Sequence, residues 1–351
     1  GGAPAVGPRA RRFRAALVST MCDNASTIDS YICYYLHLGF TTLYLYVDDP
    51  ADPIVDLARR YDPAAVVVRV RDAALAREWE SLPSWSRLRL YAATEVQARQ
   101  QLNCEHALRC CRDDADFLLH VDADELLHLP DLCHVDGDGA ALEQHLARLD
   151  ALGAMQFTYR NIEAVPEAEE CDDALRSVSL FKQHPAELDE TRDDVAAALR
   201  HWTGGSGAYF RFYSNGKSIV RVCDALVEVA SVHEWRLPRE AMLRGAGYTN
   251  NGSLADSAYV PHQHAARDEC GGAVVLHFAV CSFGAFWRKR WAALGYASPN
   301  HRFRAVSGGI DQRAHSLALG ARGRGARTLF SRGDASAGGR DGTAARCARV
   351  H

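Results

Sequence analysis

Short apolar runs alternate with amphipathic stretches through the first half of the chain, and the two periods predict different elements. Arg14 to Thr20 (RAALVST) suits a buried strand. Ile28, Tyr31, Ile32, Tyr35 and Leu36 then recur at i, i+3, i+4, i+7 and i+8, one face of a helix that Gly39 stops. Thr42 to Val47 (TLYLYV) is β-branched and aromatic, a second strand ending in Asp48-Asp49-Pro50. Asp52-Pro53 opens another helix, with Asp as N-cap and Pro in the first turn. Val66 to Val70 predicts a third strand, Ser86 to Cys111 a long helical stretch, and Asp116 to Val121 a fourth strand. Strand and helix alternating in this way imply an α/β fold, a mostly parallel sheet with right-handed crossovers and flanking helices.

The pattern changes in the second half. Leu142, Leu146 and Leu149 mark a helix, and Ala154 to Tyr159 a strand. Tyr209 to Val222 reads as an antiparallel hairpin about Asn215-Gly216, a strong short-range turn signal. Val274 to Val280 predicts a further strand and Phe283 to Leu294 a helix. Gly, Ala, Ser and Arg dominate from Ser307 onward, too few large apolar residues to build a core. We therefore expect a linker or stem remnant over 1–12, one domain over 13–300 and a flexible tail over 301–351.

Composition narrows the function classes. Of 351 residues 48% are hydrophobic and 24% charged, and a net charge of -4 is not that of a nucleic-acid binder. No apolar run approaches the ~20 residues of a membrane span, so membrane association would have to come from a segment outside this chain. The start lacks the apolar stretch of a signal peptide. Eleven cysteines form no C-x-x-C pair, which disfavours a structural zinc site. They fit either a few disulfides in an oxidising lumen or a reduced protein that tolerates cysteine. Two N-x-S/T sequons, at Asn24 and Asn251, are close to the number expected by chance.

The stretch that carries chemistry is Asp116 to Leu129, DFLLHVDADELLHL. A buried strand delivers Asp122-Ala123-Asp124-Glu125 at its carboxyl end, where open α/β sheets bind ligands. In extended backbone Asp122 and Asp124 point the same way. Two convergent carboxylates suit a hard cation, Mn²⁺ or Mg²⁺, which would neutralise charge on a departing diphosphate.

The motif resembles that of GT-A fold glycosyltransferases, specifically family 2-like and family 92-like enzymes, where a hydrophobic strand precedes D-x-D-E-[FL]. Lys217-Ser218-Ile219-Val220-Arg221 followed by Val232-His233 is similar to their K-x-I-V-R … H block. Leu276-His277-Phe278 with Ser282, Phe286 and Lys289 is similar to their H-[YF]-x-x-x-S-x-x-x-F-x-x-K block. The ordered blocks cover most of the chain, from Phe13 to Arg290. The resemblance implies a GT-A (Rossmann-like) fold, a UDP- or GDP-sugar donor and a glycan or glycoprotein acceptor. It also implies a secretory-pathway location such as the Golgi lumen. Departures stand where relatives carry a Lys-Asn-Glu-like triplet, Glu-Trp and Tyr-His. Here those places hold Cys22-Asp23-Asn24, Ser30-Tyr31 and Tyr34-Tyr35, and Cys281 replaces a lysine.

By the same resemblance Asp48 and Asp49 are candidates to contact the nucleotide, the alternative being a plain turn. His233 and His277 are candidates for a third metal ligand or a diphosphate contact. Lys217 and Arg221 could pair with phosphate oxygens, or could be charges on the solvent face of a hairpin. A general base for an inverting transfer would be one of Glu163, Asp224, Glu228 or Glu234, and the sequence does not choose among them. Two other readings compete: a non-catalytic binding protein on the same fold, and a sugar-1-phosphate nucleotidyltransferase. The second wants a Gly-rich signature after the first strand, where Ser19 to Asn24 holds no glycine. No phosphate loop or dinucleotide fingerprint is present, and Gly204-Gly205-Ser206-Gly207 is too loose for a serine hydrolase elbow.

Overall fold

A computed structural model of the chain describes residues 13–132, 139–165, 168, 170–182, 191, 216–250, 264–265, 272–279, 281 and 347–349. The first arm of the expected hairpin, the helix expected over 283–294, residues 1–12 and the expected tail apart from 347–349 fall outside the described residues.

The alternation is realised as β1 (Ala15–Met21), α1 (Ile28–Leu38), β2 (Thr42–Val47), α2 (Ile54–Ala58), β3 (Val66–Val70), α3 (Ala73–Trp79), α4 (Trp85–Leu88), α5 (Val96–Cys111) and β4 (Phe117–His120). The motif leads into β5 (Glu125–His128), and α6 (Ala140–Ala151), β6 (Gln156–Tyr159), β7 (Asn161–Glu163), α7 (Ala174–Ser177) and β8 (Leu180–Lys182) follow. Beyond them are β9 (Lys217–Arg221), β10 (Gly247–Thr249), β11 (His264–Ala265), β12 (Val274–His277) and β13 (Cys347–Arg349).

Eight strands make the central sheet in the order β11-β10-β6-β9-β4-β1-β2-β3. Within it β9 alone runs antiparallel to its neighbours, β4 and β6. The fold is thus α/β with a mostly parallel sheet, as the sequence pattern implies. Alternation along β1 sends Ala15, Leu17 and Met21 into one apolar layer and Ala16 and Val18 into the other. Helices α1, α2 and α6 cover the first layer, and α3, α4 and α5 the second. A separate three-stranded sheet, β5-β12-β7, stands at the carboxyl end of β4.

Local chemistry explains most boundaries. Gly39 ends α1 in the left-handed region at φ 117, its N–H reaching the carbonyls of Tyr35 and Leu36. Asp52 Oδ1 accepts from the Ile54 N–H at the start of α2, and Asp72 Oδ1 caps α3 by accepting from the Leu75 N–H. The stretch expected as one helix from Ser86 is broken over 89–95, where Glu95 adopts extended backbone. Gly216 precedes β9 because an ideal Cβ there would lie 1.4 Å from the Tyr159 carbonyl oxygen.

Candidate functional site

Strand β4 ends at His120, and the backbone turns over Ala123–Asp124, with the Glu125 N–H bonded to the Asp122 carbonyl at 3.1 Å. The extended geometry expected from spacing is therefore replaced by a tight turn. Asp122 faces Lys217 and Asp124 faces His277. The Lys217 ammonium donates to Asp122 Oδ2 at 2.7 Å and lies 3.6 Å from Glu125 Oε2. Gln100 on α5 donates to Asp122 Oδ1 at 2.6 Å. Glu125 closes the turn by accepting from the Asp122 N–H at 2.7 Å.

Lys217 is 1% exposed, so it is not a charge on a solvent face as its hairpin position suggested. Burial acts to lower its pKa, and Asp122 with Glu125 more than reverses this, holding it firmly protonated. Burial acts to raise Asp122, and Lys217 overrides it and keeps that carboxylate ionised. Glu125 is 1% exposed, and its burial prevails over Lys217, lifting its pKa to about 7.

Asp124 Oδ2 stands 3.8 Å from His277 Nε2. That gap exceeds a hydrogen bond, and it lies within the ~4.2 Å that two ligands of one hard cation span at bonds of about 2.1 Å. His277 Nδ1 bonds Glu163 Oε1 at 2.8 Å. Burial acts to lower the His277 pKa, but Glu163 prevails and lifts it to about 9. Four carboxylates (Asp122, Asp124, Glu125, Glu163) thus gather around one ammonium and one imidazole. A carboxylate oxygen and an imidazole nitrogen at this spacing suit a divalent cation such as Mn²⁺ or Mg²⁺. Asp124 and His277 are the residues that would hold it.

His233 lies beside this group, with Nδ1 bonded to the Gly216 carbonyl at 2.8 Å, and burial followed by Lys217 lowers its pKa to about 4. His120 packs behind Asp122, with Nδ1 bonded to the Val232 carbonyl at 3.0 Å. Burial, then Lys217, lowers its pKa to about 3.

Other expected residues sit elsewhere. Asp48 is clasped by Arg99 through both carboxylate oxygens at 2.5 Å, and Asp49 Oδ1 accepts from the Ala51 N–H. Arg221 lies at the far end of β9 from Lys217, paired with Asp150 and stacked over Phe117. Asp224 is exposed and paired with Arg112 at the end of α5, and Glu228 pairs with Arg236. Glu234 is buried and adjoins His233.

The departures in α1 also have structural work. Tyr34 donates to the Leu127 carbonyl at 2.6 Å and Tyr35 to the Glu125 carbonyl at 2.9 Å, so the helix holds β5 in place. Gln100 escaped sequence reasoning, while Glu125 stood in the D-x-D-E motif and the two tyrosines among the departures without a role given to either. Among the described residues, Cys22, Asp23 and Asp52 are the one group of three metal-ligand-type atoms mutually within 4.8 Å. Burial, then Asp23, raises the Cys22 thiol to about 11. Eight cysteines among the described residues are free, and no helix there is long and apolar enough to cross a membrane.

No family model matches the chain. A glycosyltransferase-like protein of Arabidopsis thaliana is 27% identical over 257 residues, covering 69% of this chain and 53% of that protein. The chain therefore spans about half the length of the curated relative it matches. Among solved structures, glucosyl-3-phosphoglycerate synthase of Mycobacterium tuberculosis, in complex with Mn²⁺, UDP and glucosyl-3-phosphoglycerate, aligns with a TM-score of 0.32 at 13% identity. That alignment covers 72% of this chain and 69% of the synthase. The inositol-1-phosphate CTP transferase of T. maritima aligns with a TM-score of 0.27 at 8% identity, over 82% and 97%.

Proposed function

We propose that the chain is a GT-A glycosyltransferase that moves a sugar from a UDP- or GDP-sugar to a hydroxyl of a glycan or glycoprotein, with Mn²⁺ or Mg²⁺ as cofactor. The observation that carries this reading is the pairing of Asp122 with Lys217 and of Asp124 with His277 at the carboxyl edge of the parallel sheet. Ligands of open α/β sheets bind at that edge. The sequence similarity to a glycosyltransferase-like protein supports the same class. When bound, the cation supplies Lewis-acid neutralisation of the leaving diphosphate.

The chain's own residues do the rest. Lys217 keeps Asp122 ionised and, with Gln100, fixes its rotamer. Asp49 is the better of the two aspartates for a nucleotide contact, since Arg99 already occupies both oxygens of Asp48. A base for an inverting transfer, drawn from Glu163, Asp224, Glu228 and Glu234, would take the acceptor hydroxyl proton as the oxygen attacks. Of these, Asp224 pairs with Arg112, Glu228 with Arg236 and Glu163 with His277, and Glu234 is buried next to His233. A secretory-pathway lumen fits a glycan acceptor.

One observation favours the non-catalytic alternative. Asp122 already has a partner on each oxygen, so the fold could keep this edge for binding alone. Thermal stability against UDP, GDP, CMP and UDP-sugars, with and without Mn²⁺, tests the choice, because a ligand that binds only the folded state raises the melting temperature. A Mn²⁺-dependent shift with one diphosphate nucleotide supports the transferase and names its donor class. No shift with any nucleotide removes the basis for it.

A further inference from the structure

In the small sheet, His277 of β12 is in register with Glu125 of β5 on one side and with Glu163 of β7 on the other. Residues in register on adjacent strands share a face, so one buried row reads Glu125–His277–Glu163 across three strands. The next two rows are apolar or amide, Leu126, Leu276 and Ile162 and then Leu127, Val275 and Asn161, and the last sets Val274 against His128. The charged row is also the row at the turn that carries Asp124. Two main-chain bonds lock it there, from the Phe278 N–H to the Asp124 carbonyl at 2.8 Å and from the Ala164 N–H to the His277 carbonyl at 2.9 Å.

The imidazole has two nitrogens with different surroundings. Nδ1 meets Glu163 Oε1 at 2.8 Å, and Glu163 is 3% exposed. Nε2 is turned to Asp124 at 3.8 Å. A carboxylate that takes the proton of one ring nitrogen fixes the tautomer, sets the ring plane and makes the other nitrogen a stronger donor to a cation.

We infer that Glu163 is a positioning residue for a divalent cation: it accepts the Nδ1–H of His277 and thereby presents Nε2, beside Asp124, as a metal ligand. The inference rests on the metal-dependent reading above, and it takes Glu163 out of the set of candidate bases.

The test is Mn²⁺ binding to the intact chain in the presence of UDP, followed by electron paramagnetic resonance, without any turnover assay. Wild-type protein should bind Mn²⁺ and show nitrogen coupling from a bound imidazole, and His277→Asn should lose that coupling. Glu163→Gln should raise the Kd for Mn²⁺ about 10- to 100-fold, with the metal-free melting temperature held. Glu163→Gln binding Mn²⁺ as tightly as wild type overturns the inference and leaves the transferase reading standing. Wild-type protein that binds no Mn²⁺ overturns both.

If Glu163→Gln does not fold, the wild-type protein decides, with His277→Asn supplying the assignment. In ¹⁵N spectra of the Mg²⁺-loaded chain, the resonance missing from His277→Asn must carry its proton on Nδ1. A proton on Nε2 overturns the inference.

Discussion

An ammonium that is 1% exposed sits 2.7 Å from one carboxylate and 3.6 Å from another. Charges taken out of water cost several kcal/mol each unless they are paired. Lys217→Met would keep the volume and delete the pairing, leaving Asp122 and Glu125 without their counter-charge. We expect a loss of about 3–5 kcal/mol in urea unfolding, with the denaturant slope unchanged. A loss under about 1 kcal/mol would show that the two carboxylates find another partner. At this scale the sequence was informative where residue type and position already imply a role. Asp122 and Asp124 end an apolar strand, and Lys217 and His277 lie in ordered blocks. It was silent where the role is made by tertiary register. Nothing local to Glu163 says that β7 will lie beside β12, and nothing local to Gln100 says that a helical glutamine will face Asp122. Lys217 and Arg221 looked equivalent on one strand, yet four residues of extended chain separate them by about 13 Å.

Elements were legible where one period dominates and less so where burial contradicts polarity. Helix α5 buries Arg99, Gln100, Asn103, Glu105 and His106, residues that a sequence reading assigns to solvent. Its true start at Val96 is set by the loop over 89–95, which hydrophobic spacing does not reveal. Helix α3 was missed despite the Asp72 cap, and β5 and β7 are too short to show a period of their own. Gly216, at the entry to β9, is required by the Tyr159 carbonyl. Gly216→Ala should cost about 1–3 kcal/mol or more, since the contact is with backbone and no side chain can yield. A thermal midpoint within 1 °C of wild type would mean that β6 and β9 move apart at no cost.

Between α6 and β6 the His145 ring bonds the Tyr159 hydroxyl at 2.7 Å, and burial, with Arg148 adding to it, lowers its pKa to about 3. The folded chain keeps this imidazole neutral, while the unfolded chain takes up a proton below pH 6.5. Stability tied to it is thus constant above pH 6.5 and falls as pH drops from there toward 3. The slope is at most about 1.4 kcal/mol per pH unit. His145→Gln should flatten that part of the stability profile, measured as the difference from wild type. Parallel profiles would place the proton uptake on other groups.

Taken whole, the molecule places its charged cluster where two sheets meet, so the cluster belongs to neither apolar layer. Asp124 contributes its main-chain carbonyl to the join through Phe278, and its carboxylate faces His277. Asp124→Ala keeps the main-chain bond, and we expect its metal-free melting temperature to stay within about 2 °C of wild type. The ligand response should differ. With UDP at a hundredfold over Kd and Mn²⁺ present, binding adds about 2.7 kcal/mol to wild-type stability. For a domain of this size that raises the midpoint by about 5 °C. Chelation with EDTA should abolish the rise in wild type, and Asp124→Ala should lack it at every Mn²⁺ concentration. An Asp124→Ala protein that keeps the full Mn²⁺-dependent rise would move the cation off this turn. The Cys22, Asp23 and Asp52 group at the end of β1 would then be the next place to look for it.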